Sequence, residues 1–330
     1  FVNRDIPPVR LLNRLFRGPR ILFGYFQGGL TVERLTERFG FSKVVEFLLG
    51  YRTDKSTERL FREVFGEATR DFDKDFLAWI EKTKLKGLKI RPRYNERSID
   101  RMLQTLAGKP RDLETRLALG WAYAQRGQDV DAAEQLRQVF AVDRDHIAAQ
   151  LLHAELFRRR KATADAVAAY RRGFDGGADD FDSRVRFGRL LEQTGDVDGA
   201  LAQYQRAKAC WPQCTEEANA PNLLLAALLR KQGRRDDALL ELKSYVTRTA
   251  RAFGPRLQLA AMEREQGNHA AAAKLLEEAV QIDPFMRSLH EELAAEYLEL
   301  GRKRDAAEEL IVAVAVRPNV DRAYLRERTK

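Results

Sequence analysis

The chain has 330 residues, 44% of them hydrophobic and 32% charged, with a formal net charge of +9 and a mean hydropathy of −0.48. That length sets a prior of about two domains or one extended repeat array, and no apolar run approaches the ~20 residues a membrane-spanning helix needs. Two cysteines rule out a disulfide-built fold, and 10 prolines and 21 glycines are too few for a collagen-like or low-complexity chain. The first residue is Phe1 and no basic-then-apolar leader follows. Such a start is expected of a processed chain or of a piece of a longer product, so localisation stays open.

The first 81 residues read as short helices. Apolar spacing predicts helices over 31–39, 42–49, 56–64 and 70–80, the first three stopped by Gly40, Gly50 and Gly66. Ser42 and Ser56 are candidate amino caps, although Arg59 takes the place of the acid that would complete a capping box. The landmarks in order are Gly24-Tyr25-Phe26-Gln27-Gly28, Glu37-Arg38-Phe39-Gly40, Phe61-Arg62-Glu63-Val64-Phe65-Gly66 and the run from Asp71 to Ile80. Together they are similar to the carboxy-terminal part of a peptidase MA-like (gluzincin) domain. That resemblance implies zinc held by H-E-x-x-H, two histidines on one helix face with a glutamate base between them. The chain holds only His146, His153, His269 and His290, and none sits in such a motif. It is therefore expected to bind no metal and to have no peptidase activity, with matching ligands expected, if anywhere, upstream of Phe1. His153 is expected as a core histidine. Asp71, Asp73 and Asp75 lack the glycine and terminal glutamate of a calcium loop. Phosphate-loop, dinucleotide and nucleophile-elbow motifs are absent, and no cofactor is expected.

Charge is concentrated in the next segment. Residues 1–111 carry 24 Lys and Arg against 14 Asp and Glu, and 82–111 alone has a net charge of +8. Its first half contributes Lys82, Lys84, Lys86, Lys89, Arg91 and Arg93. Such a patch could attract phosphates or an acidic protein face; the plainer reading is a solvated connector, followed by a capping helix over 95–107. Tyr94 is the one aromatic there, which makes a nucleic-acid partner unlikely. The 82–112 segment is read as connector and cap.

From 113 the sequence repeats with a period of 34. Gly120, Gly127 and Ala132 recur as Ala154, Lys161 and Ala166, then as Gly188, Gly195 and Ala200. After one step of 38 come Ala226, Gly233 and Ala238, then Ala260, Gly267, Ala272 and Ala294, Gly301, Ala306. Each copy reads as two helices. A glycine ends the first, acids such as Asp129, Asp196 and Asp236 open the second at its partly positive end, and small residues let the pair approach closely. Leu136, Tyr170, Tyr204, Leu242, Leu276 and Leu310 are expected to fill the space beside them, and Pro212, Pro284 and Pro318 to close copies. The extra four residues surround Cys210 and Cys214, whose spacing suits neither zinc nor a redox pair; both are expected as structural thiols.

These residues resemble the tetratricopeptide repeat family over 113–325, with copies at 113–146, 147–180, 181–214, 219–252, 253–286 and 287–320. The resemblance implies an all-α superhelix of helical hairpins whose first helices line a concave groove that binds protein or peptide. On the family pattern that groove presents Trp121, Glu155, Arg158, Arg189, Arg230 and Arg264. Arginine dominance suits an acidic or carboxylate-bearing partner, while the alternative is a solvated face. Function is thus expected to be a non-catalytic protein-binding scaffold. The alternatives are the end of a larger metallopeptidase-like protein, or an anion or nucleic-acid binder through 82–111.

Overall fold

The computed structural model describes residues 6–316. It is all-helical, with eighteen α-helices and no strand among the described residues, and it divides into two compact units, 1–128 and 129–330. Pro318 and the end of the last repeat frame lie outside the described residues.

The first unit contains α1 (Leu12–Leu15), α2 (Ile21–Phe39), α3 (Phe41–Gly50), α4 (Thr57–Phe65), α5 (Thr69–Trp79), α6 (Glu96–Gly108) and α7 (Leu113–Gln125). Helix α2 begins ten residues before the expected Thr31. Gly24 lies inside it as a packing position: a Cβ there would stand 2.9 Å from Leu15 Cβ. Gly40, at φ 85°, ends α2, and Ser56 does cap α4, accepting from Arg59 N at 3.3 Å. The core of α2–α5 is largely aromatic. Phe61, Phe72, Phe76 and Trp79 are buried with Leu35 and Val44, and successive ring centroids lie 5.4, 5.8 and 6.0 Å apart. Each such side chain contributes roughly 1.5–3 kcal/mol by burial. Arg34 grips Asp75 through two hydrogen bonds of 2.8 Å, and Asp73 accepts from Val9 N at 2.7 Å, so the acidic run of α5 is spent on holding the bundle. After a π-helical turn over Ile80–Lys84 and an extended stretch, α6 packs on α7 through Ile99, Leu106, Leu119 and Ala122.

The second unit contains α8 (Asp129–Val142), α9 (Ile147–Arg159), α10 (Thr163–Asp175), α11 (Phe181–Gln193), α12 (Val197–Cys210), α13 (Pro221–Lys231), α14 (Arg235–Val246), α15 (Phe253–Glu265), α16 (His269–Val280), α17 (Arg287–Glu299) and α18 (Lys303–Ala315). From α9 onward the helices form antiparallel pairs, α9 with α10 through α17 with α18, and each pair packs on the next. Acids occupy the expected helix starts: Asp196 caps α12 at 2.9 Å, and Asp236 and Asp237 lie in the first turn of α14. The tight turns repeat one bond. The residue after the turn donates to the carbonyl five back, as in Ala162 to Phe157, Asp196 to Leu191, Arg234 to Leu229 and Asn268 to Glu263. The turn residue is left-handed, a glycine with φ between 72° and 84° everywhere except at Lys161, with φ 60°.

Tyr170, Tyr204, Leu242 and Leu276 are buried in the seams as expected. Leu310 is not. It is 44% exposed, and Ile311 and Val314 on the same helix are more exposed still; no described helix follows α18. His153 is likewise not a full core residue; it is half-buried between Phe140 and Phe157, at 5.5 and 4.2 Å between centroids. The inserted residues form a loop between α12 and α13. There Cys210 and Cys214 are buried, free thiols, Trp211 stacks edge-on against Phe181, and Tyr245 Oη donates to Thr215 O at 3.0 Å. Burial pushes the Cys214 thiol up to about 11. His290, in place of the usual aromatic, is buried and held by Glu309 at 2.6 Å and the Pro284 carbonyl at 2.9 Å.

Two stability changes follow. Lys161→Gly relieves a left-handed lysine and is expected to raise unfolding free energy by about 0.5–1 kcal/mol, the relief exceeding glycine's unfolded-state entropy. Gly188→Ala places a Cβ 2.5 Å from the ring of buried Tyr204 and is expected to cost about 1–3 kcal/mol. Urea titrations of both variants against the parent check the two signs.

Candidate functional site

The first helices of the pairs, α9, α11, α13, α15 and α17, carry most of the residues marked by sequence. The structure spends several of them internally. Glu155 on α9 is fully buried. Arg158 donates to it through two bonds of 2.9 Å, Arg159 through one of 2.8 Å, and Arg186 on α11 stands 3.3 Å away. Burial alone would raise its pKa; the three guanidiniums reverse that and bring it down to about 2. Glu155 is thus an anchor for three arginines. It is not a free acceptor on an open face, because a carboxylate cannot be taken from water here without that compensation.

Arg189 on α11 donates to the Ala218 carbonyl. Arg264 on α15 lies 3.5 Å from both Glu292 and the buried Glu296, which His269 also approaches at 2.8 Å. Arg230 on α13 is exposed and has no carboxylate in ion-pair range among the described residues. It lines a cleft of about 450 Å³ between α13 and α15, with Ala227, Lys231, Arg235, Met262 and Glu265. Lys231 reaches Glu192 at 2.7 Å and Arg235 reaches Glu265 at 3.5 Å. Sequence reasoning missed Arg186, Lys231, Arg235 and Met262. Arg186 sits three residues before Arg189, a spacing that signals a shared helix side; the cleft residues come from three helices, α13, α14 and α15, and carry no local signal.

Trp121 belongs to the first unit. It is 7% exposed, with the Arg91 guanidinium 3.2 Å from the ring centroid, a cation–π contact in a desolvated setting. An open aromatic anchor at this position is not what the structure shows. The basic segment is also partly spent. Lys84 pairs with Glu33 at 2.6 Å and overlies Trp79, and Lys89, Arg91 and Arg93 have partners of their own. Lys82 and Lys86 are exposed. No group of three or more His, Cys, Asp or Glu residues able to hold a metal occurs among the described residues, and no helix there is long and apolar enough to cross a membrane.

The tetratricopeptide repeat family model matches residues 151–213 and 223–287. The two matched stretches are similar to that family, and they fall on the helical pairs from α9 to α16. Solved structures similar to the chain include YrrB, described as a tetratricopeptide protein with an unusual peptide-binding site, at 15% identity over 62% of this chain and 97% of that one, with a TM-score of 0.45. PilF of Pseudomonas aeruginosa matches at 15% identity over 67% and 100%, TM-score 0.43, and MamA at 13% over 52% and 91%, TM-score 0.41. No curated protein matches.

The buried cluster sets a pH dependence. A carboxyl at about 2 when folded and near its ordinary 4.5 when unfolded contributes stability that is complete above pH ~4.5 and is lost as pH falls toward 2, about 3 kcal/mol in all. Glu155→Gln removes that charge and strands three arginines. It is expected to destabilise the chain by about 3 kcal/mol at neutral pH and to flatten the acid limb of the stability profile. Thermal unfolding of parent and variant between pH 2.5 and 7 reads both effects.

Proposed function

We propose that the repeats form a non-catalytic scaffold, framed as six copies over 113–320, that binds an acidic, extended peptide segment of a partner protein along the first-helix side of α11, α13 and α15. The observation that carries this reading is the cleft at Arg230. Three cations line it against one carboxylate, and Arg230 is left without a pair. A guanidinium in that state is ready to hold a carboxylate bidentately, and the apolar stems of Met262 and Ala227 beside it supply contact area. Arg158, Arg189 and Arg264 support the same side as donors already fixed in place by Glu155, Ala218 and Glu296. They position the surface more than they supply unspent charge.

A second reading draws on a different surface. Helix α2 exposes Leu22, Tyr25 and Phe26, and α3 exposes Phe41, Leu48 and Leu49. Exposed large apolar side chains in this number on two successive helices are commonly covered by further protein. They favour 1–81 as the end of a larger peptidase MA-like domain whose substrates or partners the repeats recruit. Mass spectrometry of the polypeptide from its natural source tests this: additional residues carrying H-E-x-x-H and bound zinc support it, and a native chain beginning at Phe1 overturns it.

The scaffold reading is tested by fluorescence anisotropy with a fluorescein-labelled, unstructured Glu-rich peptide. Arg230→Glu is expected to weaken binding about tenfold, through lost attraction and added repulsion, with melting temperature unchanged because the side chain is exposed. Unchanged affinity overturns the assignment.

A further inference from the structure

The second-helix side of the array has a larger opening. A groove of about 1180 Å³ runs between α14 and α16 over α15. Helix α15 serves both openings from different faces. Arg256, Leu259 and Glu263, three and four residues apart, form the base of this groove, while Met262 and Glu265 belong to the Arg230 cleft. Its lining runs from Ala271 on α16 to Ile282 in the turn just beyond that helix; the helical part, Ala271 to Val280, is about 14 Å long at 1.5 Å per residue, between two and three turns. Volume and length together exceed the usual ~300–1,000 Å³ of a small-molecule pocket and match a slot for another helix.

The walls carry apolar side chains on both sides, Val246 on α14 against Leu275 on α16 and Ile282 in the turn after it. The buried charges of the base are already matched. Arg256 donates to Glu278 at 3.0 Å and to the carbonyls of Ala252, Val246 and Thr249. Glu263 accepts from Asn268 at 2.9 Å. Lys243 stands 2.6 Å from its other oxygen, outside hydrogen-bonding angles, as a purely electrostatic partner. Two further cations line the groove, Arg251 and Lys274. Both are exposed and neither has a carboxylate in ion-pair range among the described residues. The groove therefore combines apolar walls, over a base whose charges are paired internally, with two positive charges, Arg251 and Lys274, that no described carboxylate matches.

We propose that the α14–α16 groove docks an acidic amphipathic helix of a partner protein. Its apolar stripe lies over Leu275 and Ile282, and its flanking carboxylates meet Arg251 and Lys274. This is helix-in-groove recognition, read by residues at i, i+3, i+4 and i+7. Packing against α14 and α16 at the ~8–10 Å spacing usual between helices gives the occupant the place of an additional helix on this face. Basic helices are disfavoured by the same two charges. The site is independent of the Arg230 cleft and does not rest on the scaffold reading given for it.

The test uses the full chain and two synthetic helical peptides of about 12 residues, matched to the groove length. Both carry leucine at i, i+3, i+4 and i+7; one has glutamate and the other lysine at the flanking positions. Anisotropy titrations are expected to show saturable binding of the glutamate peptide alone. The double variant Arg251→Glu, Lys274→Glu is expected to weaken it at least tenfold, with circular dichroism and melting temperature as in the parent, since both side chains are exposed. Arg230→Glu is expected to leave it unchanged. Three results overturn the proposal: no saturable binding of the glutamate peptide, equal binding of the lysine peptide, or an affinity insensitive to the double charge reversal. Loss of binding in Arg230→Glu also overturns it, by moving the peptide to the cleft.

Discussion

Every pair in the second unit depends on reversing chain direction within a few residues while keeping two helices in contact along their length. A single left-handed residue meets the first requirement, and the bond from the next amide to the carbonyl five back locks it. Small residues meet the second. Gly188 lies so close to Tyr204 that no Cβ fits between them. Once turn and seam are set, the phase of every side chain follows. One helix of each pair repeatedly presents its charged positions to the same side, and the other presents the positions that form walls between neighbours.

That phasing explains why the charged first helices are less open than their composition suggests. Three glutamates on them, Glu155, Glu263 and Glu296, are buried, and each draws cations inward. Around Glu155 the count is three arginines. Neighbouring pairs are thereby tied across their interface by charge as well as by apolar contact, since Arg186 comes from the pair after the one that supplies Glu155. A buried carboxylate with this many donors fixes orientation more than it adds net stability. The surface left for a partner is then defined by subtraction, as the cations no internal acid claims.

Periodicity made the helical pairs and their turns legible in the sequence, because spacing of small and left-handed residues is local information. Helix ends were legible where a cap or left-handed glycine marked them, as at Ser56 and Gly66. The start of α2 was not legible: it begins ten residues before Thr31, and Gly24 within it is a close-packing position that the sequence does not distinguish from a helix breaker. Burial of charge was the least legible feature. Glu155 and Trp121 occupy positions that the family pattern assigns to an open face. What closes them is Arg186 on the next helix in one case and Arg91 from thirty residues upstream in the other. The α14–α16 groove was invisible for the same reason, being formed by three helices at once. Leu310 shows the limit of the pattern itself, because a seam position is buried only when a neighbouring helix supplies the other side.

The four residues that break the period have a consequence of their own. They place Cys210 and Cys214 at the junction of two pairs, both buried and both reduced. Burial pushes the Cys214 thiol up to about 11, which keeps it in the unreactive protonated form at neutral pH. Closed, the junction is chemically silent; once the loop lifts, ordinary thiol reactivity returns. The two sulfurs thus act as an internal clock for local opening between the α11–α12 and α13–α14 pairs, and their modification rate measures how often neighbouring segments of the array part without the whole unfolding.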